Sequence, residues 1–207
     1  IEDIQSMFTN TEQRDGNLRA VIDVALQRDG FVIGAFDGNH LFDLEIYKKV
    51  GSMAAINLVN KFLEKNHIPL RNVAFDSDGI GQYLKEPLKE GKGGAFAFNG
   101  NSSSTDSNVW QNLKAECAEK FAMGLKEGKF SISESLINRK YFGKKLSDYL
   151  LEERSAIRRK MNVNKLQLIP KTEMKKILGG KSPDVTDMFM MFQVFEVLKP
   201  TKKGVKG

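Results

Sequence analysis

Three successive apolar runs, Leu18–Leu26, Phe31–Asp37 and Leu41–Lys48, constrain this chain more than any other feature. Only Gln27-Arg28-Asp29-Gly30 and Gly38-Asn39-His40 separate them. A parallel crossover needs a dozen or more residues, so joins this short predict consecutive antiparallel strands. The first run contains an anomaly: Asp23 interrupts Ala20-Val21-Ile22-Asp23-Val24-Ala25. Strands disfavour Asp, and a carboxylate on a buried strand costs several kcal/mol unless something compensates it.

The rest of the chain reads as strand and helix in alternation. Met53–Glu64 carries apolar residues at 53, 56, 59, 62 and 63, a helical period. Val73-Ala74-Phe75 is a short buried strand ending at Asp76, and Gln82–Lys89 reads as a helix shortened by Pro87. Gly94–Phe98 is another strand. Asn99–Asn108, rich in Ser and Asn, reads as a mobile surface loop. Helices follow over Val109–Glu127 and Lys144–Lys160, then a strand over Lys165–Ile169 and a short helix over Lys171–Ile177. A last helix opens at Ser182-Pro183, with Ser as N-cap and Pro in the first turn, and runs through Val197. The order βββαβαβ followed mainly by helix predicts an α/β fold, its mixed sheet antiparallel at first and parallel afterwards.

At 207 residues the chain suits one domain, with residues 1–16 expected as a connecting segment and 17–207 as the folded unit. A lone cysteine, Cys117, excludes a disulfide framework and points to a reducing, cytosolic setting. No apolar run reaches the ~20 residues of a membrane span, so no membrane partner is expected. The first residue, Ile1, suggests a domain excised from a longer protein. The formal charge of +6 is unevenly spread. Residues 1–109 hold 11 Lys+Arg and 15 Asp+Glu, whereas residues 110–207 hold 21 and 11. A basic half suits a polyanionic partner, although it also suits mere solubility.

Two phosphate-binding motifs fail on inspection. Gly180-Lys181-Ser182 lacks the glycine required five residues earlier, where Lys175 stands, and no strand precedes it. Gly79-Ile80-Gly81 lacks the third glycine of a dinucleotide fingerprint, position 84 being Leu84.

Acidic residues provide the positive signal. Asp23 and Asp76 sit on strands, while Asp184 and Asp187, spaced i and i+3, share one face at the start of a very apolar helix. Asp76 has a competing role as a turn former and Asp184 as a favourable charge at a helix N-terminus; Asp29 and Asp78 read as turn residues. With no Cys or His cluster nearby, these oxygens suit a hard cation such as Mg²⁺ or Mn²⁺. Zinc is not expected: His40 reads as a turn residue and His67 as a helix C-cap. Carboxylates beside a basic half suit phosphodiester cleavage by two metal ions.

The segments Val21–Ala25, Val73–Gly81 and Gly180-Lys181-Ser182-Pro183-Asp184-Val185-Thr186-Asp187, with Asn112–Glu116 and Ile169–Glu173, resemble the C-terminal nuclease domain of the large terminase subunit of tailed bacteriophages. Ser-Pro-Asp-x-x-Asp before an apolar helix is the most specific of these. The resemblance implies an RNase H-like fold, with a sheet of five or more strands flanked by helices. It also implies a metal-dependent endonuclease that cuts concatemeric double-stranded DNA during packaging in the bacterial host cytoplasm. Asp23 and Asp76 would be metal ligands, with a third from Asp184, favoured, or Asp187. Lys171 would approach the phosphate. Arg139, Lys140, Lys144, Lys145, Arg158, Arg159 and Lys160, in a helical insertion over Leu136–Lys160, would touch the DNA backbone; the alternative there is a solvated helix face. Implied partners are DNA, a packaging ATPase domain of the same protein, the small terminase subunit and the portal. The competing readings are another RNase H-like nuclease or resolvase, and a DNA-binding assembly module without catalysis.

Overall fold

The computed structural model describes residues 2–12, 14–24 and 30–198. Strands β1 (Leu18–Asp23), β2 (Gly30–Asp37) and β3 (His40–Lys48) form the expected antiparallel meander. Asp23 is the last residue of β1, opposite Val32, rather than mid-strand. Residues 25 and 26 of the expected run, and the join at 27–29 with Asp29, lie outside the described residues. Helix α1 (Ser52–Lys65) leads to β4 (Val73–Asp76), which runs parallel to β1 with Ile22 opposite Phe75. Strand β5 (Phe96–Phe98) extends the sheet beside β4.

Helix α2 (Leu113–Lys126) is capped by Asn112, whose Oδ1 accepts from the Ala115 N–H at 2.9 Å. A sixth strand, β6 (Ser131–Ile132), lies parallel to β3, giving the order β5-β4-β1-β2-β3-β6. Beyond it come α3 (Glu134–Ile137), the hairpin β7 (Lys140–Tyr141) and β8 (Lys144–Lys145), α4 (Leu146–Glu153) and α5 (Lys171–Ile177). Helices α6 (Asp184–Phe192) and α7 (Val194–Val197) close the described chain.

Several expectations need correction. The expected helix over 82–89 is a 3-10 turn, Gly79–Leu84, followed by turns, as Pro87 cannot donate a helical hydrogen bond. The expected helix over 144–160 is a strand, α4 and a 3-10 turn at Arg154–Ala156, and the expected strand at 165–169 is reduced to bridges joining Trp110 to Leu166 and Arg159 to Leu168. The last helix breaks at Gln193. Ser182 does not cap it; its hydroxyl is buried without a partner among the described residues. Part of the expected connecting segment, Glu2–Phe8, forms a 3-10 helix whose Ile4 and Met7 are fully buried.

The period of two along a strand assigns the sheet's two faces. Ala20, Ile22, Ile33, Val73 and Phe75 face α1, with Ala55, Val59 and Phe62. Val21, Val32, Phe36 and Ala74 face α2 and α6. Asp23 shares parity with Val21, and Asp76 with Ala74, so both carboxylates emerge on the α6 face. An aromatic chain pins α6 there: Phe36 stacks on Phe192 at 4.1 Å and meets Phe189 edge-on at 5.5 Å, while Phe189 stacks on Phe121 of α2 at 5.6 Å. Each such pair contributes about 0.5–1.5 kcal/mol beyond the area it buries.

Gly34 of β2 lies directly under α6: a Cβ there would come within 2.3 Å of Met188 Sδ. Gly34→Val is therefore expected to push α6 off the sheet and cost about 1–3 kcal/mol in urea unfolding. Unchanged stability would mean that Met188 swings clear.

His40 is no turn residue. It is buried at the start of β3, with Nδ1 2.8 Å from Ser131 Oγ and Nε2 2.9 Å from Ser133 Oγ, linking β3 to β6. Burial pushes the ring below its ordinary value of 6.5, against the opposing pull of Glu12, 3.5 Å away. The unfolded chain therefore takes up this proton more readily. Stability should be full above the ordinary value and fall as pH drops below it. Thermal melts between pH 7.5 and 5 should show this loss, and His40→Gln should reduce it; an equal slope in both proteins would contradict the assignment.

Candidate active site

Strands β1 and β4 are parallel neighbours that end together at Asp23 and Asp76. Ligands of α/β sheets gather at such carboxyl ends. A cavity of about 460 Å³ opens there, lined by Asp23, Asp76, Asp78 and Asp187, with Lys114 and Lys171. Asp184 lines a neighbouring cavity of about 370 Å³, across the start of α6, together with Lys48, Lys144 and Lys181. Its charge still reaches Asp23 and Lys171.

Asp23 is 4 % exposed and Asp187 7 %. Burial pushes the Asp23 carboxyl well above its usual range, and the charges of Asp184, Asp187 and Asp76 raise it further. Asp76 is also raised by burial, although the Asp78 N–H, 2.9 Å from its Oδ1, pulls the other way. Lys171, the first residue of α5, faces this cluster. Burial lowers its ammonium, but attraction by Asp23, Asp187, Asp184 and Asp76 outweighs that and raises it. One lysine thus partly neutralises four carboxylates from two strands and a helix.

Among the described residues, no three His, Cys, Asp or Glu side chains are gathered tightly enough to hold an ion as they stand. The donor chemistry nevertheless fits one. Among the described residues, Asp23 Oδ2 and Asp187 Oδ1 are buried without any hydrogen-bond partner. A buried anionic oxygen lacking a donor is costly, and a hard divalent cation is the ligand that satisfies it.

Lys114 is a site residue absent from the sequence-based set. Its Nζ donates to Asp187 Oδ2 at 2.9 Å. Its position carried a signal: a lysine in the first turn of a helix faces the positive end of the dipole and needs an anionic partner. The expected mobile loop, 99–108, is bonded to the start of α2 instead. Gly100 and Ser102 carbonyls accept from the Lys114 and Leu113 N–H groups at 3.0 and 2.9 Å. The buried Glu116 takes the Thr105 N–H at 2.8 Å and its hydroxyl at 2.6 Å. Gly100 and Asn101 consequently form part of the cavity wall.

The basic residues separate into two groups. Arg158, Arg159 and Lys160 flank the wall formed by 167–171, since Arg159 bridges to Leu168 and the Lys160 N–H donates to the Gln167 carbonyl at 2.7 Å. Arg159 is paired with Glu119 at 2.8 Å, and Arg158 Nε donates to the Ser155 carbonyl at 2.6 Å. The hairpin group lies by the second cavity. Lys140 and Lys145 are exposed, whereas Lys144 pairs with Glu152 and sits over the Tyr149 ring. Arg139 is engaged by Glu45 at 3.0 Å and the Leu44 carbonyl at 3.3 Å, and stands over Tyr141.

No protein-family model and no curated protein matches the sequence. Solved structures do match. The nuclease domain of the large terminase subunit gp2 of bacterial virus Sf6 is 20% identical with a TM-score of 0.75, over 92% of this chain and 95% of that one. A point mutant of that domain with manganese and beta-thujaplicinol is 19% identical, TM-score 0.74, over 92% and 95%. The large terminase nuclease from thermophilic phage G20c with bound magnesium is 14% identical, TM-score 0.59, over 89% and 85%. The chain has the RNase H-like fold of these domains.

Lys114→Met would leave both Asp187 oxygens buried and unpaired, and is expected to cost about 1–3 kcal/mol in urea unfolding. Adding Asp187→Asn should return part of that loss. Strictly additive losses would mean the two side chains are not coupled.

Proposed function

We propose that this chain is a divalent-metal-dependent DNA endonuclease of the kind that cuts concatemeric phage DNA during packaging. The observation that carries the reading is the set of carboxylates around Lys171: Asp23 and Asp76 side by side at the ends of parallel strands, with Asp187 and Asp184 from α6 beside them. The fold supports it, as do the manganese and magnesium in the Sf6 and G20c structures.

Asp23 and Asp76, with Asp187 and Asp184, would hold one or two Mg²⁺ or Mn²⁺ ions. Bound there, such ions supply Lewis acidity and an ionisable water at neutral pH. The chain's own residues do the rest. Lys171 offers its ammonium to the phosphate as well as to the carboxylates. Lys114 orients Asp187 by holding one oxygen and leaving the other free to coordinate. The raised carboxyls of Asp23 and Asp76 hold their protons more tightly than free ones, so cation uptake there would release protons. The exposed Lys140, Lys145 and Lys160 meet the DNA backbone without reading its sequence. Further parts of the reading are a packaging ATPase domain in the same protein, a small terminase subunit and a portal as partners, and action in the host cytoplasm. Among the described residues, no helix is long and apolar enough to cross a membrane.

Supercoiled plasmid incubated with the chain plus Mn²⁺ or Mg²⁺ should be cut, and EDTA should stop the reaction. Asp23→Asn is expected to lower the rate by ~100-fold or more. Equal nicking by that variant would sink the reading, and binding without cleavage would indicate an assembly module.

A further inference from the structure

Glu153 belongs to no motif in the sequence and would pass as part of a solvated helix face. It is instead 5 % exposed, at the end of α4. Its carboxylate is aimed at the start of another helix: Oε2 accepts from the Thr186 N–H at 2.7 Å and Oε1 from the Val185 N–H at 3.4 Å. Helix α6 provides no such bond for itself. Pro183 stands at its N-cap without a side-chain bond, and among the described residues the buried Ser182 hydroxyl has no partner.

The first N–H groups of any helix lack intrahelical acceptors and need an outside oxygen. Here those groups belong to the two residues lying between Asp184 and Asp187. The C-terminal turns of α6 are held by Phe189 and Phe192 packing on Phe36. Its first turn, which presents both aspartates, is held by the buried Val185 side chain, by Lys114 on Asp187 and by the peptides that Glu153 grips. Burial pushes the Glu153 carboxyl up to about 8, and the N–H groups of Thr186 and Val185 pull the other way. We infer that Glu153 is a positioning residue that sets where Asp184 and Asp187 stand by capping α6 from α4. Its neighbour Glu152 pairs with Lys144 of β8 and lies 3.9 Å from Lys181, so the end of α4 ties the hairpin to the same helix start.

The effect on metal rests on the reading of the site given above; the capping does not. Three measurements on wild type, Glu153→Gln and Glu153→Ala test it: amide hydrogen exchange without metal, Mn²⁺ affinity by calorimetry, and plasmid cleavage. In Glu153→Ala, exchange at Val185 and Thr186 should quicken at least ~10-fold while the Val21 amide holds, and Mn²⁺ affinity should fall ~10–100-fold. The turnover rate should fall with KM for DNA unchanged. Glu153→Gln keeps one acceptor oxygen and the same shape, so it should fold and lie between the two; if the alanine variant fails to fold, it carries the test. A folded variant with wild-type exchange, Mn²⁺ affinity and turnover overturns the inference. If wild type binds no Mn²⁺, or Asp23→Asn binds it equally, the metal reading fails, while exchange at 185 and 186 still decides the role of Glu153.

Discussion

Helix α6 lies across β1 and β2 through Phe36, Phe189, Phe192 and the Met188 thioether seated over Gly34, and the acidic site exists because that apolar contact outweighs the repulsion it creates. Pressing α6 onto this face brings Asp184 and Asp187 towards Asp23 and Asp76, all of like charge and partly or wholly removed from water. Left alone, such a cluster would drive the elements apart. Lys171 from α5 and Lys114 from α2 offset part of the charge, and burial holds the Asp23 and Asp76 carboxyls above their ordinary range. The repulsion within this cluster costs stability, as the proposed metal site would require.

The surrounding elements serve this contact. The 99–108 loop is fastened to α2 by its own backbone and by Glu116, which keeps Lys114 against Gly100 and directed at Asp187. The bridges to Trp110 and Arg159 hold the segment leading into Lys171. Glu153 grips the first turn of α6 from a third direction. Helix α1, on the other face, closes the second core and is tied to β3 where Lys65 and Asn66 reach Asp43 at 2.8 and 2.9 Å.

Much of this was legible in residue order. The antiparallel meander followed from join lengths. Asp23 and Asp76 stood out as charges on apolar strands, and Asp184 and Asp187 as a pair on one helical face. Parity alone places Asp23 with Val21 and Asp76 with Ala74. Illegible features share a cause: each depends on a partner far away in sequence. His40 looked like a turn residue because Ser131 and Ser133 are about ninety positions distant. Glu153 looked solvated because its acceptors' donors lie beyond a whole helix. The 99–108 segment looked mobile because Ser and Asn favour loops whether or not the segment's carbonyls accept from a neighbouring helix.

Residue order by itself determined the local periods, the turn chemistry and which carboxylates were anomalous, because those follow from neighbours within a few positions. Tertiary structure decided how the carboxylates meet. It set β1 parallel to β4 so that Asp23 and Asp76 end together, and placed Asp187 in their cavity with Asp184 at the margin of the next. It also brought Arg139 and Arg159 onto protein carboxylates and left Lys140 and Lys145 on the surface. The physical reason is that charge energetics depend on distance and burial in three dimensions, and neither quantity is carried by sequence spacing.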